Sequence, residues 1–262
     1  MIITSTANSQ VKHLLQLQKK GALRRKEDVF LAEGPKMCLE ADPADLVQVY
    51  VSEEFWKHGA DVWGEHRPRP VLLSDAVFQA VSDTKTPQGI LCVVRQKHYE
   101  KRQLLGEGRP LLLILEHLQD PGNLGTILRA GEGAGVTGVL MTEDCVDIYS
   151  PKTIRSTMGA VFRVPFAYTP DLSKDLEWLK SLGVKLYAAH LKGAKAYDRC
   201  DYTGGSAFLI GNESRGLSEQ TAMACSERIL IPMLGNVESL NAGVAASVLV
   251  YEAARQRRAA GL

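Results

Sequence analysis

The chain is predicted to be an α/β protein whose larger, C-terminal part is built on a parallel sheet. Short apolar segments alternate with segments of helical pattern along the 262 residues. The segment 111–115, LLLIL, has no polar position, as expected for a strand covered on both faces of a sheet. Glycine-bearing loops follow three of the apolar segments. Such loops at the carboxyl ends of parallel strands form a crevice in which a ligand can bind.

The N-terminal part, residues 1–97, is predicted to be a separate small α/β domain. Asn8 or Ser9 is expected to cap its first helix, because a short polar side chain can accept from the free N–H groups of the first turn. Predicted strands follow at 29–33, 46–52, 71–73 and 89–94, with helices at 36–41, from 53 and at 75–81. Residues 98–109 are polar and include Gly106 and Gly108, which predicts a linker.

The C-terminal part, residues 110–262, shows a more regular alternation. Predicted strands are 111–115, 136–141, 162–165, 185–189, 207–210 and 229–231. Predicted helices are 124–134, 151–158, 172–182 and a long last helix capped by Ser239. The start of that helix carries small residues, and Gly243 within it costs about 1 kcal/mol of helix propensity relative to alanine. A packing or functional reason for this glycine is therefore expected.

Composition excludes several classes of protein. The formal net charge is +1, so any surface for a polyanion must be local. The five cysteines are scattered without C-x-x-C spacing, which argues against a structural zinc site or a disulfide framework and favours a cytoplasmic protein. No metal is expected. The sequence lacks a signal-peptide pattern and any apolar run of the length that crosses a membrane, so no membrane association is expected.

The sharpest local charge excess lies between Lys12 and Lys26, a segment with no acidic residue. Such a patch is typical of a surface that contacts phosphates of a nucleic acid. The alternative is a solvated helix face. The residues that we predict to bind RNA are Lys19, Lys20, Arg24 and Arg25.

The glycine loops do not match the common nucleotide-binding motifs. A P-loop is absent, and the glycines at 131, 133 and 135 end a predicted helix and lead into a strand, the reverse of the dinucleotide fingerprint. Polar residues nevertheless recur in the loops after the strands. They are Asn123 and Arg129, then Asn212, Glu213 and Arg215, then Ser239 and Asn241. Each alone is most simply a turn, cap or ion-pair residue, but together they predict a site.

Three segments carry a resemblance to a known family. DPGNLGTILR at 120–129, LIGNESRGL at 209–217 and IPM…ESLNAGVA at 231–245 resemble, in order and spacing, the three motifs of the SpoU/TrmH family of RNA ribose 2′-O-methyltransferases in the SPOUT superfamily. The segment from Ser150 to Ala160 is also similar to the family. The N-terminal part, through NSQVK and FLAEGPK, resembles the family's small RNA-binding domain.

The resemblance implies a specific fold and cofactor. It implies an α/β domain whose C-terminal segment is threaded into a trefoil knot, with S-adenosylmethionine bound in the knot largely by backbone groups. Carried over by motif, the cofactor contacts fall at Gly211, Ile231 and Leu240. It also implies a homodimer in which both subunits build each active site.

The resemblance assigns catalysis to Arg129, Asn123, Glu213, Ser239 and Asn241. Because a guanidinium keeps its proton far above neutral pH, it is a poor base, and Arg129 is expected to hold the adjacent phosphate and stabilise the developing alkoxide. Asn123 and Asn241 would orient Arg129 and the ribose, and Glu213 would anchor the loop or the arginine. Ser239 would bind substrate or cap the last helix.

The expected substrate is structured RNA, and the N-terminal domain favours 23S rRNA. Three alternatives stay open from the sequence. One is a tRNA ribose methyltransferase, and another is a base-modifying methyltransferase of the same superfamily. The third is a non-catalytic RNA-binding or ribosome-assembly protein, which the polar residues of all three motifs disfavour.

Overall fold

The structure is a computed structural model that describes residues 2–64, 67–192 and 195–262. Contacts along the chain divide it into two compact units. The first comprises the chain up to Lys97 together with Asp147–Phe162. The second comprises His98–Val146 and Arg163–Leu262. Residues 147–162, which were predicted to lie in the C-terminal domain, thus pack with the N-terminal residues.

The first unit is built on a five-stranded mixed sheet. Its elements up to Lys97 are β1 (Ile2–Ile3), α1 (Ser9–Lys19), α2 (Gly21–Glu27), β2 (Val29–Glu33), α3 (Pro35–Glu40), β3 (Leu46–Ser52), α4 (Glu53–Trp63), β4 (Val71–Leu73), α5 (Asp75–Val81) and β5 (Ile90–Arg95). The strand order is β1-β4-β3-β5-β2, and β5 runs antiparallel to both of its neighbours. The predicted cap of the first helix is confirmed, because the Asn8 side chain accepts from the Gln10 N–H at 2.8 Å.

The remaining elements, from His98 onward, are β6 (Leu111–Leu115), α6 (Pro121–Ala134), β7 (Gly138–Thr142), α7 (Pro151–Thr157), β8 (Phe166–Thr169), α8 (Leu172–Ser181), β9 (Lys185–Ala189), β10 (Lys195–Ala196), β11 (Ser206–Ile210), α9 (Glu219–Ala224), β12 (Glu227–Leu230) and α10 (Ala242–Ala259). Helix α7 belongs to the first unit. The second unit holds a seven-stranded sheet of order β10-β12-β9-β11-β6-β7-β8, in which every paired strand is parallel. The predicted parallel α/β architecture is confirmed.

Some predicted boundaries were wrong. The strand expected at 162–165 lies at Phe166–Thr169, and residues Ala160–Phe162 form a 3-10 turn. Helix α9 and the two-residue strand β10 were not predicted. Helix α6 begins at Pro121, earlier than expected, because Asp120 caps it by accepting from the Asn123 N–H at 2.8 Å. Proline suits the first position of a helix, because the N–H that it lacks would have no hydrogen-bond partner there.

The predicted linker, residues 98–109, is packed on the second unit. It contains a 3-10 helix, Lys101–Leu105, in which Leu104 is only 2% exposed. Lys101 pairs with the buried carboxylate of Asp175 at 2.6 Å. A side chain at Gly138 would collide with the backbone of Leu104, so this glycine permits the close approach. The segment therefore contributes Leu104 to the core of this unit.

The glycine in the last helix has the packing reason that the sequence called for. A β-carbon on Gly243 would lie 3.1 Å from the Thr126 side chain of α6. Helices α6 and α10 therefore approach closely at their N-terminal ends, which brings together the loops that precede them. In the described part of the chain, no helix is both long and apolar enough to cross a membrane.

Arg24 was predicted to contact RNA, but its guanidinium is committed within the first unit. The residue is 4% exposed, donates to the carbonyls of Leu17 and Gln18, and pairs with Asp147 at 2.6 Å. A buried charge that already has its partners is not available to a phosphate. We therefore assign Arg24 a structural role, in contrast to the exposed Lys19, Lys20 and Arg25.

Arg257 fastens the end of the last helix. Its guanidinium donates to four backbone carbonyls, those of Arg109, Pro110, Tyr202 and Gly204, at 2.8–3.1 Å. These carbonyls belong to the segments that lead into β6 and β11. One side chain thus ties α10 to the two central strands of the parallel sheet.

Replacing Arg257 by glutamine is expected to lower the free energy of unfolding by about 2–4 kcal/mol, because several charge-assisted hydrogen bonds are lost and carbonyls are left unpaired. Urea unfolding followed by circular dichroism measures this. The matched control is Arg258→Gln, which removes the same charge from an exposed neighbour. Equal stability of the two variants would contradict the role given to Arg257.

Candidate active site

A cavity of about 770 Å³ opens at the carboxyl edge of the parallel sheet, where β9, β11 and β12 end. Its walls are the segments 189–192, 210–217, 229–231 and 238–240, with the first turns of α10. This volume is in the range of small-molecule and cofactor sites. The three residues predicted to bind a cofactor, Gly211, Ile231 and Leu240, all line it.

Gly211 lets the loop after β11 fold back on itself. An added β-carbon there would overlap the carbonyl of Gly216 and the nitrogen of Leu217. The fold is closed by two backbone hydrogen bonds between Asn212 and Gly216, at 3.1 and 2.8 Å. The Asn212 side chain accepts from the N–H groups of Ser214 and Arg215 at 2.9 and 3.2 Å. The loop that forms one wall of the cavity is therefore rigidly built around a glycine.

The carboxylate of Glu213 joins this loop to the start of α6. It accepts from the N–H groups of Gln119 and Asp120, at 3.3 and 3.0 Å, and from the side-chain amide of Asn123 at 3.0 Å. Partial burial alone would raise the pKa of Glu213, but the hydrogen bonds from Asn123 and the two backbone N–H groups outweigh it and lower the pKa. Glu213 is thus held as a charged acceptor.

Two asparagines extend the connection to α10. The Asn241 side-chain nitrogen donates to the Asn123 oxygen at 2.8 Å, and the Asn241 oxygen caps α10 by accepting from Gly243 and Val244 N–H. The direction of the hydrogen bonds from Glu213 to α10 is fixed at both ends, because a carboxylate only accepts and a helix N-terminus only donates. The last helix is therefore capped by Asn241, and the prediction that Ser239 caps it was wrong. Ser239 lines the cavity.

Arg129 lies apart from this network. It is an exposed residue on α6 and does not line the cavity. Within residues 2–64, 67–192 and 195–262, no hydrogen bond or ion pair involves its guanidinium. The structure thus brings together Asn123, Glu213 and Asn241, but leaves the predicted catalytic cation facing solvent.

Two acidic residues that support the site were not predicted. Asp120 caps α6 and presents its own N–H to Glu213. Glu116 is 4% exposed and accepts from Ser218 and Thr221, which fixes the start of α9. The position of Glu116 directly after an unbroken apolar strand was the available signal, since a carboxylate there must find buried donors. The described residues include no group of His, Cys, Asp and Glu side chains suited to hold a metal ion.

Comparison with known families matches both parts of the chain. Residues 110–251 match the SpoU rRNA methylase family, and residues 8–92 match an MRM3-like substrate-binding domain. The first match spans the whole parallel sheet, the cavity and the Glu213 network.

Relatives align over almost the whole chain. It is 33% identical to the 23S rRNA (guanosine(2553)-2′-O)-methyltransferase RlmP of Bacillus subtilis, over 95% of this chain and 97% of the relative. It is 35% identical to human mitochondrial rRNA methyltransferase 3, over 95% of this chain and 73% of the relative. Among solved structures it is similar to the AdoMet-bound rRNA methyltransferase of Sinorhizobium meliloti, with 27% identity, a TM-score of 0.84 and coverage of 97% of both chains. On these matches, and on the three motif loops that surround one cavity, the chain belongs to the SpoU rRNA methylase family.

Proposed function

We propose that this protein transfers a methyl group from S-adenosylmethionine to a ribose 2′-hydroxyl of ribosomal RNA. The observation that carries the proposal is the hydrogen-bonded chain from Glu213 through Asn123 to Asn241, which unites three motif loops beside a cavity of cofactor size. The ribose 2′-O-methyltransferase activity named for the Bacillus subtilis relative supports the same reaction.

The cavity suits S-adenosylmethionine. Its walls offer backbone groups of 211–216 and 229–231 and small or apolar side chains such as Leu240, Ala242 and Ala245. A nucleoside can hydrogen-bond to such backbone groups while its ring packs on the apolar side chains. When bound, the cofactor supplies an electrophilic methyl group on a sulfonium.

The chain's own residues then align and activate the ribose. The Asn123 and Asn241 side-chain nitrogens each use one hydrogen within the network, so each keeps another for a substrate oxygen. The Arg129 guanidinium holds the phosphate next to the target ribose and stabilises the alkoxide as the hydroxyl gives up its proton to solvent. Holding the two reactants in line supplies most of the rate acceleration.

We propose further that the protein is a homodimer and that Arg129 acts in the cavity of the partner subunit. The exposure of Arg129 and its absence from the walls of its own subunit's cavity support this. We also propose that the C-terminal segment is threaded into a trefoil knot. It is supported by the way in which the folded loop 211–217 and the segment 229–240 line the same cavity.

The proposed RNA is 23S rRNA, bound in part by the first unit through Lys19, Lys20 and Arg25. These residues are exposed and belong to a segment without acidic side chains between Lys12 and Lys26. The match of residues 8–92 to a substrate-binding domain supports a role of this unit in binding RNA.

Arg129→Ala is expected to abolish methylation while binding of S-adenosylmethionine stays unchanged, because the arginine is proposed to contact the RNA phosphate and does not line the cavity of its own subunit. The purified protein is incubated with 23S rRNA and labelled cofactor, and digestion to nucleosides shows whether the label is on ribose or base. Label on a base, or none with the wild-type protein, would overturn the proposed reaction.

The same variant tests the shared site. In mixtures of Arg129→Ala with a cofactor-site variant, half of the exchanged dimers regain one intact site, so about a quarter of wild-type activity should return. An absence of complementation, when exchange between the subunits has been confirmed, would argue for a site within one subunit.

Gly211→Ala is expected to prevent cofactor binding, because the added methyl group forces apart the backbone of the 211–217 loop. Isothermal titration calorimetry with S-adenosylmethionine measures the loss, expected to exceed about tenfold in affinity since loop backbone shifts of this kind cost several kcal/mol. The control is Gly204→Ala, where a β-carbon meets nothing within 4 Å. Equal affinities would show that the loop does not hold the cofactor.

Reversing the three exposed cations, Lys19→Glu with Lys20→Glu and Arg25→Glu, is expected to weaken RNA binding and flatten its salt dependence. For each phosphate contact that is lost, the magnitude of the negative slope of log K against log salt decreases by about 0.7–0.9. Filter binding at several salt concentrations gives this slope. The control reverses Lys57, Arg69 and Lys85, exposed cations of the same unit, and should keep the wild-type slope if the effect is local.

A further inference from the structure

His117 has an unusual backbone conformation at the carboxyl edge of the parallel sheet. Its φ is +58°, in the left-handed region, and only two other described non-glycine residues share this property. The conformation costs free energy in a residue with a β-carbon and is typically retained where a side chain must be held in a given place. Glycine or asparagine adopts it more readily, and histidine is among the other residue types that are enriched there.

The surrounding structure holds His117 from several directions. Its N–H donates to the Thr142 hydroxyl at 2.9 Å. Its carbonyl accepts from the side-chain nitrogen of Asn212 at 2.9 Å and from that of Gln119 at 3.3 Å. Asn212 is the residue that folds the cavity loop. The histidine is therefore fixed directly to the wall of the proposed cofactor site, two residues before the start of the segment that binds Glu213.

The imidazole ring is also oriented. Its Nδ1 faces the carboxylate of Asp144, which follows β7. Partial burial by itself would raise the pKa of Asp144, but hydrogen bonds from Thr142 and His117 outweigh it and lower the pKa, so the carboxylate stays charged. Because Nδ1 is engaged, the other nitrogen, Nε2, points away from Asp144. The side chain of His117 is 51% exposed.

Among the described residues, no hydrogen bond is formed by Nε2 of His117. With Nδ1 facing Asp144, Nε2 is the ring nitrogen on the outward side, and in an imidazolium it carries an N–H on a fixed axis. A phosphate on that axis would lie about twice as far from Asp144 as from the ring, so attraction outweighs repulsion, since Coulomb energies fall with distance. The histidine and Asp144 thus form an oriented pair beside the cavity wall, with Nε2 on its outward side.

We propose that His117, oriented by Asp144, is a positioning residue that binds a phosphate of the substrate RNA close to the ribose to be methylated. This inference rests on the proposed function. The proposed contact lies on the second unit, in addition to the contact assigned to Arg129 and to those assigned to the basic segment of the first unit. His117 acts on the docking of the RNA and leaves the binding of S-adenosylmethionine unchanged.

The test uses His117→Asn in the full-length protein with 23S rRNA and S-adenosylmethionine. Asparagine accepts the left-handed backbone, so only the ring is lost. KM for RNA should rise about five- to tenfold, as expected for the loss of one charge-assisted contact, with kcat little changed. The magnitude of the negative slope of log K against log salt should decrease by up to about 0.7–0.9. The melting temperature and the affinity for S-adenosylmethionine should stay at wild-type values.

His117→Gly, which relieves the backbone completely, should give the same rise in KM, and the exposed His58→Asn should give none. Wild-type KM and salt slope in both His117 variants would overturn the inference while leaving the proposed function intact. A fall in melting temperature that accounts for the lost activity would also overturn it, since His117 would then be structural. A wild-type protein that neither binds nor methylates RNA would overturn both.

Discussion

The site depends on one interaction, the acceptance of three hydrogen bonds by the Glu213 carboxylate. Two come from backbone N–H groups at the start of α6 and one from Asn123, which in turn binds Asn241 at the start of α10. Without this acceptor, the donor groups would hydrogen-bond to water and the loops could separate. The hydrogen bonds keep the pKa of Glu213 low despite its partial burial, so the connection persists at neutral pH.

Glycine positions make that arrangement sterically possible. Gly211 allows a loop to lie against its own backbone, and Gly243 allows α10 to approach α6 at Thr126. Gly138 has the same effect for the segment around Leu104. In each case a neighbouring backbone or a short side chain occupies the volume that a larger residue would need. Of these three glycines, Gly211 lines the cavity.

The groups that we propose to contact RNA lie in separate places. Arg129 is exposed on α6, the basic residues Lys19, Lys20 and Arg25 are exposed on the first unit, and His117 is held at the edge of the cavity. The lining of the cavity is mixed, because apolar residues such as Ile231 and Leu240 lie beside charged ones such as Lys192, Arg215 and Glu238.

Local pattern was sufficient for the class of fold and most strands, because the apolar run at 111–115 and the cap at Asn8 reflect short-range requirements of backbone or side chain. The loop residues Asn123, Glu213 and Asn241 were singled out through the resemblance to a known family, since their hydrogen bonds join distant parts of the chain. Tertiary structure alone decided three further points. Arg24 is buried against Asp147, residues 98–109 pack into the second unit, and His117 meets Asp144 across 27 positions of sequence. These depend on partners distant in the chain, and a charged or polar residue carries no local mark of which partner the fold will bring to it.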